Sequence, residues 1–154
     1  MRVALAALAA LTFAAPAGAT IVVGKSIRGL RLGATEARFR AALGAPDGPR
    51  AYGEDPSDYG LSFRDARYHA LFVTRGRRAT LISTTSSAQQ TASGVGPGVS
   101  ARFARARLHG ERCGQVFDED RQLEITECAI RAHGAETDVD IIDGRVFEIS
   151  IATF

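Results

Sequence analysis

Glu136-Thr137-Asp138-Val139-Asp140-Ile141-Ile142-Asp143-Gly144-Arg145-Val146-Phe147-Glu148-Ile149-Ser150-Ile151-Ala152 consists of two alternating runs around an Asp-Gly pair. Asp-Gly tolerates positive φ at both central positions of a tight turn, and such turns twist as the flanking strands do. The pattern therefore predicts an antiparallel hairpin, Glu136–Ile142 against Arg145–Ala152. Alternation places Phe147, Ile149 and Ile151 inward and Glu148 and Ser150 outward. Outward from this hairpin, Leu123–Ile130 reads as the strand before it. Earlier in the chain, Tyr59–Arg64, Tyr68–Val73 and Ala79–Thr84 read as three more strands, the last two joined by a turn at Arg75-Gly76.

Each strand set follows a short helical signal. Thr35 and Ser100 are suited to N-capping, their hydroxyls accepting a bond from an unpaired first-turn N–H. Phe39 and Leu43, like Ala104 and Leu108, are four apart and share a helix face. Gly44 and Pro46 end the first helix. A shift of 65 positions lays Gly29-Leu30-Arg31-Leu32-Gly33-Ala34-Thr35 on Gly94-Val95-Gly96-Pro97-Gly98-Val99-Ser100. Gly76-Arg77 echoes Gly144-Arg145 at a shift of 68. Matched turn chemistry at a fixed period is the mark of an internal repeat. The expected fold is α+β: two helix-βββ repeats, about 24–86 and 90–154, forming an antiparallel sheet with helices packed on one face.

The run Gly29-x-x-Leu32-Gly33-x-Thr35-x-x-x-Phe39-x-x-x-Leu43-Gly44-x-Pro46-Asp47 resembles the opening of the SmpA/OmlA (BamE-like) envelope domain. It also resembles the related repeats of beta-lactamase inhibitor protein, and the tandem arrangement is closer to the inhibitor. The resemblance implies a helix-and-sheet interaction scaffold. The second copy lacks the Leu-Gly-x-Pro ending, and no lipidation Cys follows the N-terminal segment. Aromatic binding residues are scarce, with no Trp and only Tyr52, Tyr59 and Tyr68 as tyrosines. No binding residue is carried over from either relative.

The N-terminal segment reads as an export signal. Met1-Arg2 precedes an apolar run, Val3–Ala14, broken only by Thr12, and then come Pro16 and Ala17-Gly18-Ala19. Small residues at that spacing suit a signal peptidase, cleaving after Ala19 or after Ala17. The run is shorter than the roughly 20 residues of a comfortable membrane span. A leader over 1–19 and one domain over 20–154, exported to a periplasmic or extracellular location, is the expected organisation.

The chain has 154 residues and a formal charge of +2, with 18 Arg, a single Lys (Lys25) and no Asn. That length excludes a Rossmann domain with a separate substrate domain, or an eight-unit βα barrel. Thr20–Arg112 carries 15 basic and 7 acidic residues, whereas Cys113–Phe154 carries 3 and 10. Two oppositely charged parts either face one another or steer an anionic partner to the first. The uniform basic clustering of a nucleic-acid binder is absent.

Sought chemistry is sparse. Cys113 and Cys128 read as a disulfide in an exported chain. The competing reading, a reactive or metal-binding pair, has neither Cys-x-x-Cys spacing nor a nearby His in sequence. Gly24-Lys25-Ser26 ends like a phosphate-binding loop, but Ala19 occupies the position of the first Gly and no helix clearly begins at Ser26. Asp118, Asp120 and Gln122 lack the sixth-position Gly of a Ca²⁺ loop. His69, His109 and His133 lie at no ligand spacing. No Gly-x-Ser-x-Gly elbow occurs. Arg64, Arg67, His69, Arg75, Arg77 and Arg78 form the one candidate binding cluster, either a solvated edge or a patch that recognises an anion.

No catalytic set, metal site or cofactor is therefore expected. The expected function is an exported, non-enzymatic module that binds another envelope or secreted protein. The alternative is a secreted inhibitor of an enzyme such as a beta-lactamase or protease. A third reading is a small hydrolase assembled only in the fold, with His69 or His133 beside a carboxylate.

Overall fold

The computed structural model describes residues 20–51, 58–63, 68–73, 77–119 and 121–153. The expected leader, the Arg75-Gly76 turn and Asp120 lie outside these residues. Three two-residue strands, β1 (Ile21–Val22), β2 (Ser26–Ile27) and β3 (Leu30–Arg31), make a small antiparallel sheet. Then come α1 (Glu36–Leu43), β4 (Pro49–Ala51), β5 (Tyr59–Phe63), β6 (Tyr68–Val73) and β7 (Arg78–Thr84). The chain continues through α2 (Ala101–Arg105), β8 (Arg112–Asp118), β9 (Leu123–Ala132), β10 (Ala135–Ile142) and β11 (Arg145–Thr153).

The eight longer strands form one antiparallel sheet, ordered β4-β5-β6-β7-β11-β10-β9-β8. Two four-stranded meanders thus meet at a seam where Leu81–Thr84 pairs with Ile149–Ala152. Chain neighbours pair throughout each meander. The Asp143-Gly144 turn has φ of 50° and 71°, and His133-Gly134 between β9 and β10 has 55° and 76°. Both are two-residue hairpin turns with positive φ at each centre.

Local anchors recur across the two meanders. Thr35 bridges Arg78, and Ser100 bridges Arg145. The Arg78 guanidinium donates to the Gly33 carbonyl at 2.8 Å, and that of Arg145 to the Gly98 carbonyl at 2.9 Å. A bulge leaves Thr80 unpaired in β7, and another leaves Phe147 unpaired in β11. These correspondences run at 65 positions before the strands and 67 in the last strand, against the 68 expected from Gly76-Arg77.

The expected α+β arrangement is overturned: the fold is predominantly β, in two sheets, with only two short helices among the described residues. Helix α1 spans 8 residues and buries only Phe39, and α2 spans 5 and buries only Ala104. Elements that short cannot roof eight strands. The covered face is closed instead by a mixture of pieces. Ile21, Ile27 and Leu30 come from the small sheet, Val95 from the connector, and Phe39, Ala104 and Leu108 from in and around the helices. Beneath them lie Leu61, Phe63, Ile82, Cys128, Val139, Val146, Ile149 and Ile151. Burying such side chains contributes about 1.5–3 kcal/mol each. Each helix is followed by four sheet strands, because β4 and β8 join those the sequence pattern revealed.

Details at the helix ends also differ from expectation. The Ser100 hydroxyl accepts from the Phe103 N–H at 3.2 Å, as a cap should, but the Thr35 side chain makes no capping bond. Gly44 takes the positive φ expected of it, 88°, and its N–H donates to the Arg40 carbonyl. The expectation that Phe147 points into the core fails, and it is 40% exposed. The bulge inserts one residue, so Val146 takes the inward place and the alternation restarts at Ile149.

Candidate functional site

Strand parity puts the core on one face of the large sheet and leaves the other open. Along β11, Val146, Ile149 and Ile151 are buried, whereas Glu148, Ser150 and Ala152 are half-exposed. Along β10, Ala135, Thr137, Val139 and Ile141 are buried, whereas Glu136, Asp138, Asp140 and Ile142 are half-exposed. In β9 the open face carries Glu127, Ala129 and Arg131. Register then builds a row across seven strands: Ser62, His69, Ser83, Ser150, Asp138, Ala129 and Arg112. The row is short-chained and polar at the seam, and it turns acidic toward β10.

The acidic part is electrostatically loaded. Burial, reinforced by the neighbouring Glu127 and Glu136 carboxylates, pushes the Asp138 carboxyl up to about 6. Burial together with Glu148 and Glu127 pushes Asp140 up to about 7. Asp140 faces Glu148 on one side and Glu127 on the other, so like charges sit opposite one another across both ladders. Ser150 Oγ donates to Asp138 Oδ2 at 3.5 Å, and Asp138 Oδ1 is buried with no hydrogen-bond partner. Two carboxyls that titrate near neutrality make the charge of this face depend on pH in a physiological range.

One arginine braces its end. Arg121 bonds to Asp118, donates to Glu148 Oε2 at 2.6 Å and stacks over Phe147, 4.8 Å from the ring centre. Ile125 is buried on this same face, and its ladder partner Val116 is partly exposed. The open face therefore combines an acidic centre with a small apolar margin of Val116, Ile125, Ile142 and Phe147. Beside that margin lies a cleft of about 570 Å³, lined among others by Thr85, Pro97, Gly98, Ile142, Arg145 and Phe147. Sequence reasoning missed Asp138 and Asp140 as site residues. Their alternation is legible, but their burial depends on the flanking strands β9 and β11.

Of the expected cationic cluster, only His69, Arg77 and Arg78 are among the described residues. Arg64, Arg67 and Arg75 lie outside them. His69 sits in the open-face row by its register. Arg77 lies near α1, where its charge helps hold the Glu36 carboxyl below its ordinary value, after the hydrogen bonds from Tyr59 and Arg40. Arg78 anchors the Gly33 turn. The Cys113–Cys128 disulfide is present and joins directly paired residues of β8 and β9. Among the described residues no helix is long and apolar enough to cross a membrane.

Comparison with known proteins adds a fold likeness. No protein-family model matches the chain, and no curated protein matches it in sequence. In three dimensions it is similar to a DUF4309 family protein, YjgB, of Bacillus subtilis. The TM-score is 0.56 at 15% identity, covering 85% of this chain and 88% of that one. It is also similar to a cysteine-rich secretory protein of Staphylococcus aureus, with a TM-score of 0.51 at 12% identity. That match covers 79% of this chain and 43% of the other. At these identities the likeness concerns the fold alone, and neither structure is described as an SmpA/OmlA-type domain or a beta-lactamase inhibitor.

Proposed function

We propose that this chain is an exported, non-enzymatic interaction module that binds another envelope or secreted protein through the open face of its eight-stranded sheet. One observation carries the reading. The face opposite the core presents an organised arrangement of Ser150, Asp138, Asp140, Glu127 and Glu148, braced by Arg121 and bordered by exposed Phe147. Half-buried carboxyls crowded by like charge are costly in the free protein, and a cationic partner surface relieves that cost. Export is supported by the 1–19 signal pattern and by the disulfide, which persists in oxidising compartments. The recurring anchors Arg78–Gly33 and Arg145–Gly98 support an internal duplication.

The test places a photo-crosslinking side chain at Ala129 or Ala152, on the open face, and at exposed Arg38 on α1 as control. One specific adduct in the exported fraction from the face positions, absent from Arg38, is the expected result. Equal labelling from all three positions, or none, refutes the reading. If the adduct is a hydrolase whose activity falls at one-to-one stoichiometry, the module is an enzyme inhibitor.

A further inference from the structure

A second region, away from the open face, has chemistry of the opposite sign. A cleft of about 470 Å³ lies where the small sheet meets the β9–β10 hairpin. It is lined by Gly24, Lys25, Arg31, Leu32, His133, Gly134, Ala135 and Thr153. Every ionisable side chain in that lining is a lysine, an arginine or a histidine.

The backbone builds this cluster. Gly24 has φ +66°, and a Cβ there would stand 2.2 Å from the Ala132 carbonyl oxygen, so only glycine allows the approach. Its N–H donates to Thr137 Oγ1 at 2.8 Å, a buried bond spanning 113 positions. Together these fasten the turn carrying Lys25 to the end of β9. Arg31 pairs with Ser26, the residue after Lys25, and both cations line the cleft. On the other wall His133 takes φ 55° at the first position of a tight hairpin turn. Such turns favour Asn, Asp or Gly there, and Asp143 holds that position in the β10–β11 hairpin. A histidine instead puts an imidazole at the rim of the cleft.

Among the described residues, neither Lys25 nor Arg31 has an ion-pair partner. Glu136, next to the lining residue Ala135, is held by Arg131 at 2.7 Å.

We infer that this cleft is an oxyanion site, in which Lys25, Arg31 and His133 bind the phosphate or carboxylate of a small ligand. Arg31 supplies planar paired donors, Lys25 a point charge and His133 a ring N–H, a set suited to a tetrahedral or planar oxyanion. The inference is independent of the sheet-face reading, since no residue is shared.

The experiment uses the full chain at low ionic strength, where exposed charges are least screened. Inorganic phosphate, succinate and, at matched ionic strength, chloride are titrated while the imidazole resonances of His133 and His109 are followed by NMR. His133→Gln assigns the first. Saturable movement of His133 alone with phosphate or succinate is expected, and the more effective titrant identifies phosphate or carboxylate as the natural group. Lys25→Gln with Arg31→Gln should weaken that binding about tenfold or more. Both residues are exposed, and an unchanged melting temperature and near-UV spectrum confirm that the variant folds. Equal, linear movement of His133 and His109 with all three salts overturns the site. So does saturation that survives the double substitution.

Discussion

The two meanders share a plan and differ in how they are held. Each begins at a glycine whose carbonyl is bound by an arginine, Arg78 in the first and Arg145 in the second, and each has one bulge in its last strand. The position of Phe39 in the first helix corresponds to Ala104 in the second, at the 65-position shift. Phe39 is fully buried and stacks on Phe63 with ring centres 6.4 Å apart, whereas Ala104 fills little space. The second meander has longer strands, of 7, 10, 8 and 9 residues against 3, 5, 6 and 7, and a disulfide. One unit is thus secured by an aromatic plug, and the other by ladder length and a covalent tie.

That contrast can be broken most severely at the plug. Phe39→Ala should cost about 3–5 kcal/mol, while Ala104→Gly should cost about 1 kcal/mol; urea denaturation of the two variants checks the asymmetry. Next in size is the tie. Replacing Cys113 and Cys128 by Ala should cost about 3 kcal/mol by the loop-entropy estimate, and hydrogen exchange should rise in β8 and β9 before it rises in β5.

The shared anchors should behave alike. Arg78→Met and Arg145→Met should each lose about 1 kcal/mol, and a large difference in their thermal midpoints would show that the two turns are not equivalent supports.

An effect opposite in sign between the carboxyls of the second meander and Glu36 is on pH. Folding raises the carboxyls of Asp138 and Asp140 above their ordinary value, so the folded chain binds more protons than the unfolded one between about pH 4 and 7. Their contribution to stability is therefore full below that window and is lost as pH rises through it. Glu36 is lowered by its hydrogen bonds to Tyr59 and Arg40, so its contribution is present above pH 4.5 and lost as pH falls. Denaturant midpoints at pH 3, 4.5, 6 and 7.5 should flatten over the upper range in Asp138→Asn with Asp140→Asn. Glu36→Gln should change only the acid limb.

The long alternating strands were legible because period-two patterning over eight or nine residues has no helical counterpart. The Asp143-Gly144 hairpin was legible for the same local reason. Strand β8 was not: Arg112-Cys113-Gly114-Gln115 has no alternation, and its pairing is set by β9 and the disulfide. The strands of the small sheet span two residues each and leave no period to read. The helices were overweighted because two apolar residues four apart satisfy a helical pattern without showing that the helix can roof a sheet. Among site residues, the register places His69 in the open-face row and separates it from Arg78. The Lys25–Arg31–His133 cleft joins residues more than a hundred positions apart, a proximity that local patterning does not contain.

The Cys113–Cys128 bond ties the outermost strand of the large sheet to its neighbour, far from the seam. Outer strands are where sheets recruit foreign strands, and β8 is exposed along nearly all its length, with Phe117 57% exposed. A slip by one residue would interchange the two sides of β8, carrying Val116 over the edge of the core and Gln115 onto the acidic face. The covalent link forbids that slip, because the two cysteines must stay opposite. Its benefit therefore extends beyond folding free energy: it fixes which side chains the exposed hem of the molecule shows to its neighbours.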